Sequence, residues 1–147
     1  MKLREELPDF SRDLKWMNGK QTKEQLIGEV PLLVHFWSVS CNLCKTSVEK
    51  INKWKVLYSG KFKIVSVHMP RKQEDIDEQL IQVLTKKWNM NHPVCLDHQL
   101  IVTKAFQNRI VPSFYLFDKN GLLRHVQSGE NGMHMLEKRL TLLMKEK

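Results

Sequence analysis

The segment FWSVSCNLCKTSVEKI, residues 36–51, places two of the chain's three cysteines three positions apart, where an apolar run meets an amphipathic pattern. The apolar run is PLLVHFW (31–37), whose length and composition are typical of a central strand buried on both faces. Beyond it, apolar residues recur at helical spacing at Cys44, Val48, Ile51, Trp54 and Tyr58. The segment therefore predicts a buried strand, followed by a helix that begins near Cys41.

Strand-like and helix-like segments alternate through the rest of the chain. On the amino-terminal side, Asn18-Gly19 is a strong signal for a two-residue hairpin, and Thr22 and Gln25 have the spacing of a helix capping box. On the carboxy-terminal side the pattern predicts strands at 61–69 and 93–97, helices at 74–88 and 99–108, a hairpin at 113–129 and a last helix at 133–146. This order indicates an α/β sheet, in which active sites tend to lie beyond the carboxyl ends of strands.

Length, charge and the amino terminus limit the class of protein. The 147 residues suggest one domain, and the formal net charge of +8 is interpreted as a contribution to solubility. No basic run is interleaved with aromatic residues, so nucleic-acid binding is not favoured. The first residues, MKLREELPDF, lack the apolar core of a signal peptide, and no apolar run approaches the roughly 20 residues that span a membrane. We therefore expect a soluble cytoplasmic protein that does not bind membranes.

The spacing of Cys41 and Cys44 is that of a redox-active pair. Positive partial charge at a helix amino terminus stabilises a thiolate, so Cys41 is the expected nucleophile. Cys44, one turn further on, would attack the mixed disulfide that Cys41 forms with a substrate. The alternatives are two unreactive helix cysteines or a zinc site. A structural zinc site needs four ligands, however, and only Cys95, which we expect to be buried, remains.

The segment RIVPSF (109–114) places Pro112 at the first residue of a predicted strand, where proline is accepted. Only X-Pro bonds adopt the cis form readily. A cis Val111-Pro112 bond would present the Val111 backbone to an extended substrate segment. An ordinary trans proline that starts a strand is the alternative.

With LLVHFWSVSCNLC (32–44) and IVPSFYLFDKNGLLRHVQSG (110–129), the chain resembles the thioredoxin superfamily, and within it the TlpA/ResA branch. The resemblance implies a mixed five-stranded core sheet with helices on both faces and an amino-terminal β-hairpin, in a single domain spanning 1–147. It assigns the nucleophile to Cys41, the resolving thiol to Cys44 and substrate contact to Val111 and Pro112. It implies neither a metal nor an organic cofactor.

Several positions depart from the thioredoxin pattern. Ser40 stands where thioredoxins usually have Trp, Asn42-Leu43 replaces Gly-Pro, and Glu49 replaces a proline that kinks the helix in many relatives. His35 matches the buried Asp that assists proton transfer, so it is either a proton relay or a hydrogen-bonded core histidine. Trp37, four positions before the first cysteine, is expected either to wall the active site and contact the substrate or to be a core aromatic.

The leading hypothesis is a monomeric thiol-disulfide oxidoreductase that acts on protein disulfides and is itself reduced by an upstream thiol reductant. A peroxidase is a second hypothesis, because Ser38 and Cys41 have a peroxiredoxin-like spacing, although Val34 stands where that family has proline. A redox-gated binding module or metal chaperone is the third. Copper-carrying relatives in this superfamily generally use CxxxC rather than the CxxC found here.

Overall fold

The structure, a computed structural model, describes residues 1–10 and 13–147. In chain order the strands and α-helices are β1 (Lys15–Met17), α1 (Lys23–Leu26), β2 (Leu32–Trp37), α2 (Asn42–Leu57), β3 (Lys63–His68), α3 (Glu78–Lys87), β4 (Val94–Leu96), α4 (Ile101–Phe106), β5 (Ser113–Phe117), β6 (Leu123–Ser128) and α5 (Met133–Met144). A short 3-10 helix, Gln73–Asp75, precedes α3. Asp77 caps α3 with its side chain, so the helix begins later than the predicted residue 74.

The strands of residues 1–10 and 13–147 form one mixed sheet in the order β1-β4-β3-β2-β5-β6. Strands β2, β3 and β4 are parallel, whereas β5 pairs antiparallel with β2, and β6 antiparallel with β5. The predicted α/β class and the carboxy-terminal hairpin are therefore confirmed. The described sheet has six strands rather than the expected five, because β1 is added at one edge.

The expected amino-terminal hairpin is wrong. Asn18 and Gly19 do adopt the positive φ values, 64° and 107°, that a two-residue hairpin turn requires, but the next described element is helix α1 and not a strand that pairs with β1. The chain instead enters α1 through the predicted capping box at Thr22. The Asn18 side chain donates hydrogen bonds to the carbonyl oxygens of Met90 and His92, which attach the turn to the segment before β4. Strand β1 accordingly pairs with β4.

Strand β2 is the centre of the sheet, and all its residues are buried. Leu32, Val34 and Phe36 pack into a core cluster on one face that also contains residues of α1 and α4. Leu33 and Trp37 pack on the other face, against residues of α2. The prediction of a central strand buried on both faces is confirmed. The carboxyl end of β2 opens onto the amino terminus of α2, where the cysteine pair lies.

Candidate active site

The two cysteines lie where β2 ends and α2 begins. Cys41 is the N-cap residue of α2, and it is disulfide-bonded to Cys44, with 5.4 Å between the Cα atoms. Cys41 keeps 4% of its surface exposed, whereas Cys44 has none. The remaining access to the pair is therefore through Cys41, which also lies closest to the positive end of the helix dipole.

Trp37 supports the cysteine pair from inside the protein. Its side chain is completely buried and belongs to the same packed cluster as Cys41 and Cys44. Its ring meets those of His68 and Trp88 edge to face, with centroid distances of 5.0 and 5.7 Å. Because Trp37 has no exposed surface, it is a core aromatic in this structure and offers no direct contact to a substrate.

The loop before β5 lies against the same cluster. The Val111-Pro112 peptide bond is cis, and Val111 packs against the residues around the disulfide while Pro112 is buried. The preceding carbonyl oxygen, that of Ile110, accepts hydrogen bonds from the Asn108 amide at 2.9 Å and from the Ser113 hydroxyl at 2.7 Å. These bonds fix the course of the loop beside the cysteines.

The loop between β2 and α2 is held by residues that follow β3. The Asp75 carboxylate accepts hydrogen bonds from the hydroxyls of Ser38 at 3.0 Å and Ser40 at 2.8 Å, and from the Arg71 backbone N–H at 2.8 Å. The Val39 backbone N–H donates to His68 Nε2 at 3.2 Å. The residues immediately before the first cysteine are thus held in place by hydrogen bonds from both their side chains and their main chain.

The charge states of these groups follow from their contacts. Burial alone would raise the pKa of Asp75. The hydrogen bonds from the Arg71 backbone and from the hydroxyls of Ser40 and Ser38 outweigh that effect and lower the pKa, so Asp75 is ionised. Burial lowers the pKa of His68 to about 4, although Asp75 acts in the opposite direction. His68 is therefore neutral near pH 7 and accepts the hydrogen bond from Val39.

Comparison with known proteins agrees with this geometry. A family model described as Redoxin matches residues 2–140. The chain belongs to the Redoxin family. Thiol-disulfide oxidoreductase YkuV of Bacillus subtilis (strain 168) is 43% identical over 146 residues, which are 99% of both chains. Thioredoxin-like protein SkfH of the same organism is 23% identical over 140 residues, 95% of this chain and 98% of SkfH.

Solved structures place the Redoxin-family chain in a known fold. The solution structure of an oxidised thioredoxin-like protein matches it with a TM-score of 0.90 and 43% identity, covering 98% of this chain and 97% of the other. A DsbE-like protein from Chlorobium tepidum matches with a TM-score of 0.83 at 19% identity, covering 98% and 99%. The resemblance to the thioredoxin superfamily is confirmed, and the chain has the fold and cysteine pair of a thiol-disulfide oxidoreductase.

His35, for which the sequence left a proton relay and a core histidine open, lies on β2 on the face that α2 covers. Its Nδ1 atom is 3.0 Å from the Ser66 hydroxyl, which is 2.7 Å from His92 Nε2. The other ring nitrogen of His92 is 3.0 Å from Lys55 Nζ, and Lys55 Nζ is also 2.7 Å from the side-chain oxygen of the exposed Asn91. A continuous row of polar atoms therefore connects the interior of the protein to its surface.

The groups in this row of polar atoms differ in their hydrogen bonding and in their pKa values. His35 Nε2 is buried and has no hydrogen-bond partner among residues 1–10 and 13–147. Burial lowers the pKa of His35 to about 3, and it lowers that of His92 well below its usual value, with contributions from Lys55 and His35. Both imidazoles are therefore neutral. Partial burial also lowers the pKa of Lys55.

The third cysteine lies outside the disulfide-bonded pair. Cys95 is a free, buried cysteine on β4, as expected, and burial together with the Asp97 charge raises its pKa. In the part of the chain that the structure describes, no cluster of three or more His, Cys, Asp or Glu side chains is arranged to hold a metal ion. Nor does any helix of that part have the length and apolarity to cross a bilayer.

Three features of the site were not predicted from the sequence: Arg71, Asp75 and the partners of His35. Asp75 falls inside the predicted helix 74–88, where an acidic residue near the amino terminus is sufficiently explained by the helix dipole. Ser66 lies in a strand and His92 beside a proline, and neither position carries a recognisable motif. A buried hydroxyl or imidazole becomes informative only after its neighbours are known.

Proposed function

We propose that this protein reduces disulfide bonds in other proteins by exchange through Cys41 and Cys44. The observation that carries the proposal is the bonded pair at the amino terminus of α2, where only Cys41 keeps exposed surface. We further propose that residues 1–147 form a single domain, and that the protein acts as a cytoplasmic monomer without a cofactor. An upstream thiol reductant would return the pair to the dithiol state.

The reaction takes two exchange steps. The Cys41 thiolate attacks one sulfur of the substrate disulfide, forms a mixed disulfide and releases the other substrate sulfur as a thiolate. Cys44 then loses its proton and attacks the Cys41 sulfur, which releases the second substrate thiolate. The substrate gains two electrons, and the protein pair becomes a disulfide. Two thiols of the reductant reverse this oxidation and become a disulfide themselves.

The substrate would bind across Cys41 and the Val111-Pro112 loop. Two large apolar side chains are exposed there, because Leu43 between the cysteines is 51% exposed and Ile110 before the loop is 49% exposed. Exposed apolar groups beside a reactive sulfur favour an extended polypeptide segment over a small polar thiol. The Val111 backbone, held by the hydrogen bonds to Ile110, would pair with that segment as an added strand does.

We propose that His35 takes part in the proton transfer that activates Cys44, because its buried Nε2 atom has no hydrogen-bond partner in the described part of the chain and the residue lies on the face of β2 that α2 covers. Direct protonation of His35 is unfavourable because its pKa is lowered to about 3 by burial. A relay avoids the cation: Nε2 accepts a proton while Nδ1–H passes one to Ser66, and Ser66 passes one to His92. We propose that the relay ends at Lys55, because its lowered pKa favours the deprotonated amine that can take a proton from His92 Nδ1. Every imidazole on the path stays neutral.

Site-directed variants test the exchange reaction. We expect Cys41→Ser to abolish reduction of insulin disulfides in the presence of a dithiol reductant. Cys44→Ser should accumulate a mixed disulfide with the substrate, because the resolving thiol is missing. Cys95→Ser is the matched control, since Cys95 is buried outside the pair. Full activity of Cys41→Ser would refute the assignment.

The second step can be measured alone. A thionitrobenzoate group placed on Cys41 is released, with a colour change, when Cys44 attacks. Ser66→Ala breaks the relay while leaving His35 in place, and should slow this release about 100-fold at neutral pH, the lower end of general acid–base effects. The alkylation rate of Cys41 should not change. Unchanged release by Ser66→Ala and His35→Ala would remove the relay from the mechanism.

A further inference from the structure

The guanidinium of Arg71 is attached to the residue that immediately precedes the nucleophile. Its Nε donates to the Ser40 hydroxyl at 3.1 Å, and its Nη2 donates to the Ser40 carbonyl oxygen. That carbonyl belongs to the peptide group that joins Ser40 to Cys41. A full positive charge is therefore held beside the peptide group that immediately precedes the residue with the reactive sulfur.

The position of Arg71 is determined from both ends of the residue. Its backbone N–H donates to the buried Asp75 carboxylate, which also accepts the Ser38 and Ser40 hydroxyls. The backbone of Arg71 and the loop before Cys41 thus share one acceptor oxygen. An arginine fixed in this way loses little further conformational entropy when it pairs with a ligand.

The charge of Arg71 is available to a ligand. The side chain lies on the surface, and no carboxylate among residues 1–10 and 13–147 is within 4.0 Å of its guanidinium. A guanidinium has five N–H donors, and the bonds to Ser40 use two of them. The others can bind a carboxylate through charge-assisted hydrogen bonds.

We propose that Arg71 is a specificity-determining residue that selects disulfides flanked by carboxylate groups. This inference rests on the proposed function, because it names the substrate class of the same cysteine pair. A substrate whose acidic side chain lies next to its disulfide would pair with Arg71 while the sulfur meets Cys41. The interaction raises the rate for anionic disulfides, leaves neutral ones unaffected and lowers the rate for cationic ones.

The size of the effect follows from Coulomb's law. Two unit charges about 8 Å apart in water change a rate by about two- to threefold, and bidentate pairing increases this. The ratio of anionic to cationic rates should therefore fall about fivefold or more when the charge of Arg71 is removed. High salt should reduce the effect, because ions screen exposed charges over about 10 Å or less.

The test uses three small disulfides of similar size: cationic cystamine, neutral hydroxyethyl disulfide and anionic dithiodipropionate. Oxidation of the reduced protein by each is followed through its tryptophan fluorescence at neutral pH and low salt. In each reaction the two cysteines become a disulfide and the reagent becomes two thiols. We expect Arg71→Gln to be oxidised more slowly than the wild type by dithiodipropionate, at nearly the same rate by hydroxyethyl disulfide, and faster by cystamine. Arg71→Lys should keep the order of the wild type.

Arg139→Gln, on the exposed side of α5, is the matched control for loss of one positive charge, and it should leave the three rates unchanged. Rates that all change by one factor in Arg71→Gln, or an Arg71→Lys variant that behaves like Arg71→Gln, would overturn the role of Arg71. Failure of the wild type to react with the neutral disulfide would instead overturn the proposed function. The two failures are therefore distinguishable.

Discussion

Lowering the pH from 7 to 5 should remove a large part of the stability of this protein. His35, His68 and His92 are buried. Burial lowers the pKa of His35 to about 3 and that of His68 to about 4, and places that of His92 well below its usual value. In the unfolded chain a histidine has a pKa near 6.5. At pH 5 the unfolded state therefore binds three protons that the native state does not.

The sign and size of the effect follow from this difference. Because the unfolded state binds more protons, the free energy of unfolding falls as the pH falls through about 6.5. Each histidine that stays neutral in the native state costs about 2 kcal/mol at pH 5, or about 6 kcal/mol for three. Small proteins are stable by about 5–15 kcal/mol, so a loss of this size is a large fraction of the total.

Carboxylates contribute little to this window. The lowered pKa of Asp75 stabilises the native state at pH values above the unfolded value of about 3.9. That contribution is lost only as the pH falls below about 3.9 toward the native pKa, outside the range from 7 to 5. The change between pH 7 and pH 5 therefore reports chiefly on the buried histidines.

Urea unfolding followed by far-UV circular dichroism at pH 7, 6 and 5 measures the effect. Between pH 7 and pH 5 the free energy of unfolding of the wild type should fall by about 6 kcal/mol. That of His68→Gln, which keeps a hydrogen-bond acceptor for the Val39 N–H, should fall by about 4 kcal/mol. His134→Gln, a change at an exposed position on α5, should lose as much as the wild type. A wild-type loss below about 2 kcal/mol would refute the reasoning, as would equal losses in wild type and His68→Gln.

Three further predictions concern burial. Cys95 should stay unmodified by a thiol reagent in the native protein and react only after denaturation; modification of Cys95 in the native protein would contradict its burial. Phe106→Ala should lower the free energy of unfolding by about 3–5 kcal/mol, because the buried ring of Phe106 packs against three aromatic rings. A decrease of less than about 1 kcal/mol, measured by urea unfolding, would contradict this. In the same assay Gly121→Ala should lower the free energy of unfolding more than Gly60→Ala does. Both glycines have positive φ, but only at Gly121 would the added methyl group meet the Ile27 side chain, at 3.1 Å. Equal decreases would exclude that contact as the cause.

Much of the fold was predictable because its signals are local. The apolar run at 31–37 and the helical stripe from Cys44 onward each repeat a pattern whose period matches one type of secondary structure. The capping box at Thr22 and the turn at Asn120-Gly121 act over a few residues, and both appear as predicted. The position of the cysteine pair follows from these patterns, because it lies at their junction.

The amino-terminal hairpin shows where local signals end. Asn18 and Gly19 do adopt the positive φ values that their residue types favour. A turn does not specify which strand β1 will pair with, however, and the edge of β4 provides a partner far away in the chain. Pairing at a sheet edge depends on which backbone groups remain free after the rest of the sheet has formed.

The sequence by itself determined the strand, the helix and the cysteine pair at their junction, because each follows from residue types within one or two turns of chain. Only the tertiary structure decided that His35 meets Ser66, through the parallel register of β2 and β3, and that Arg71 and Asp75 hold Ser40. These contacts join residues more than thirty positions apart. Their hydrogen bonds depend on distances and directions that no local periodicity encodes, so they arise only when the sheet and its loops are assembled.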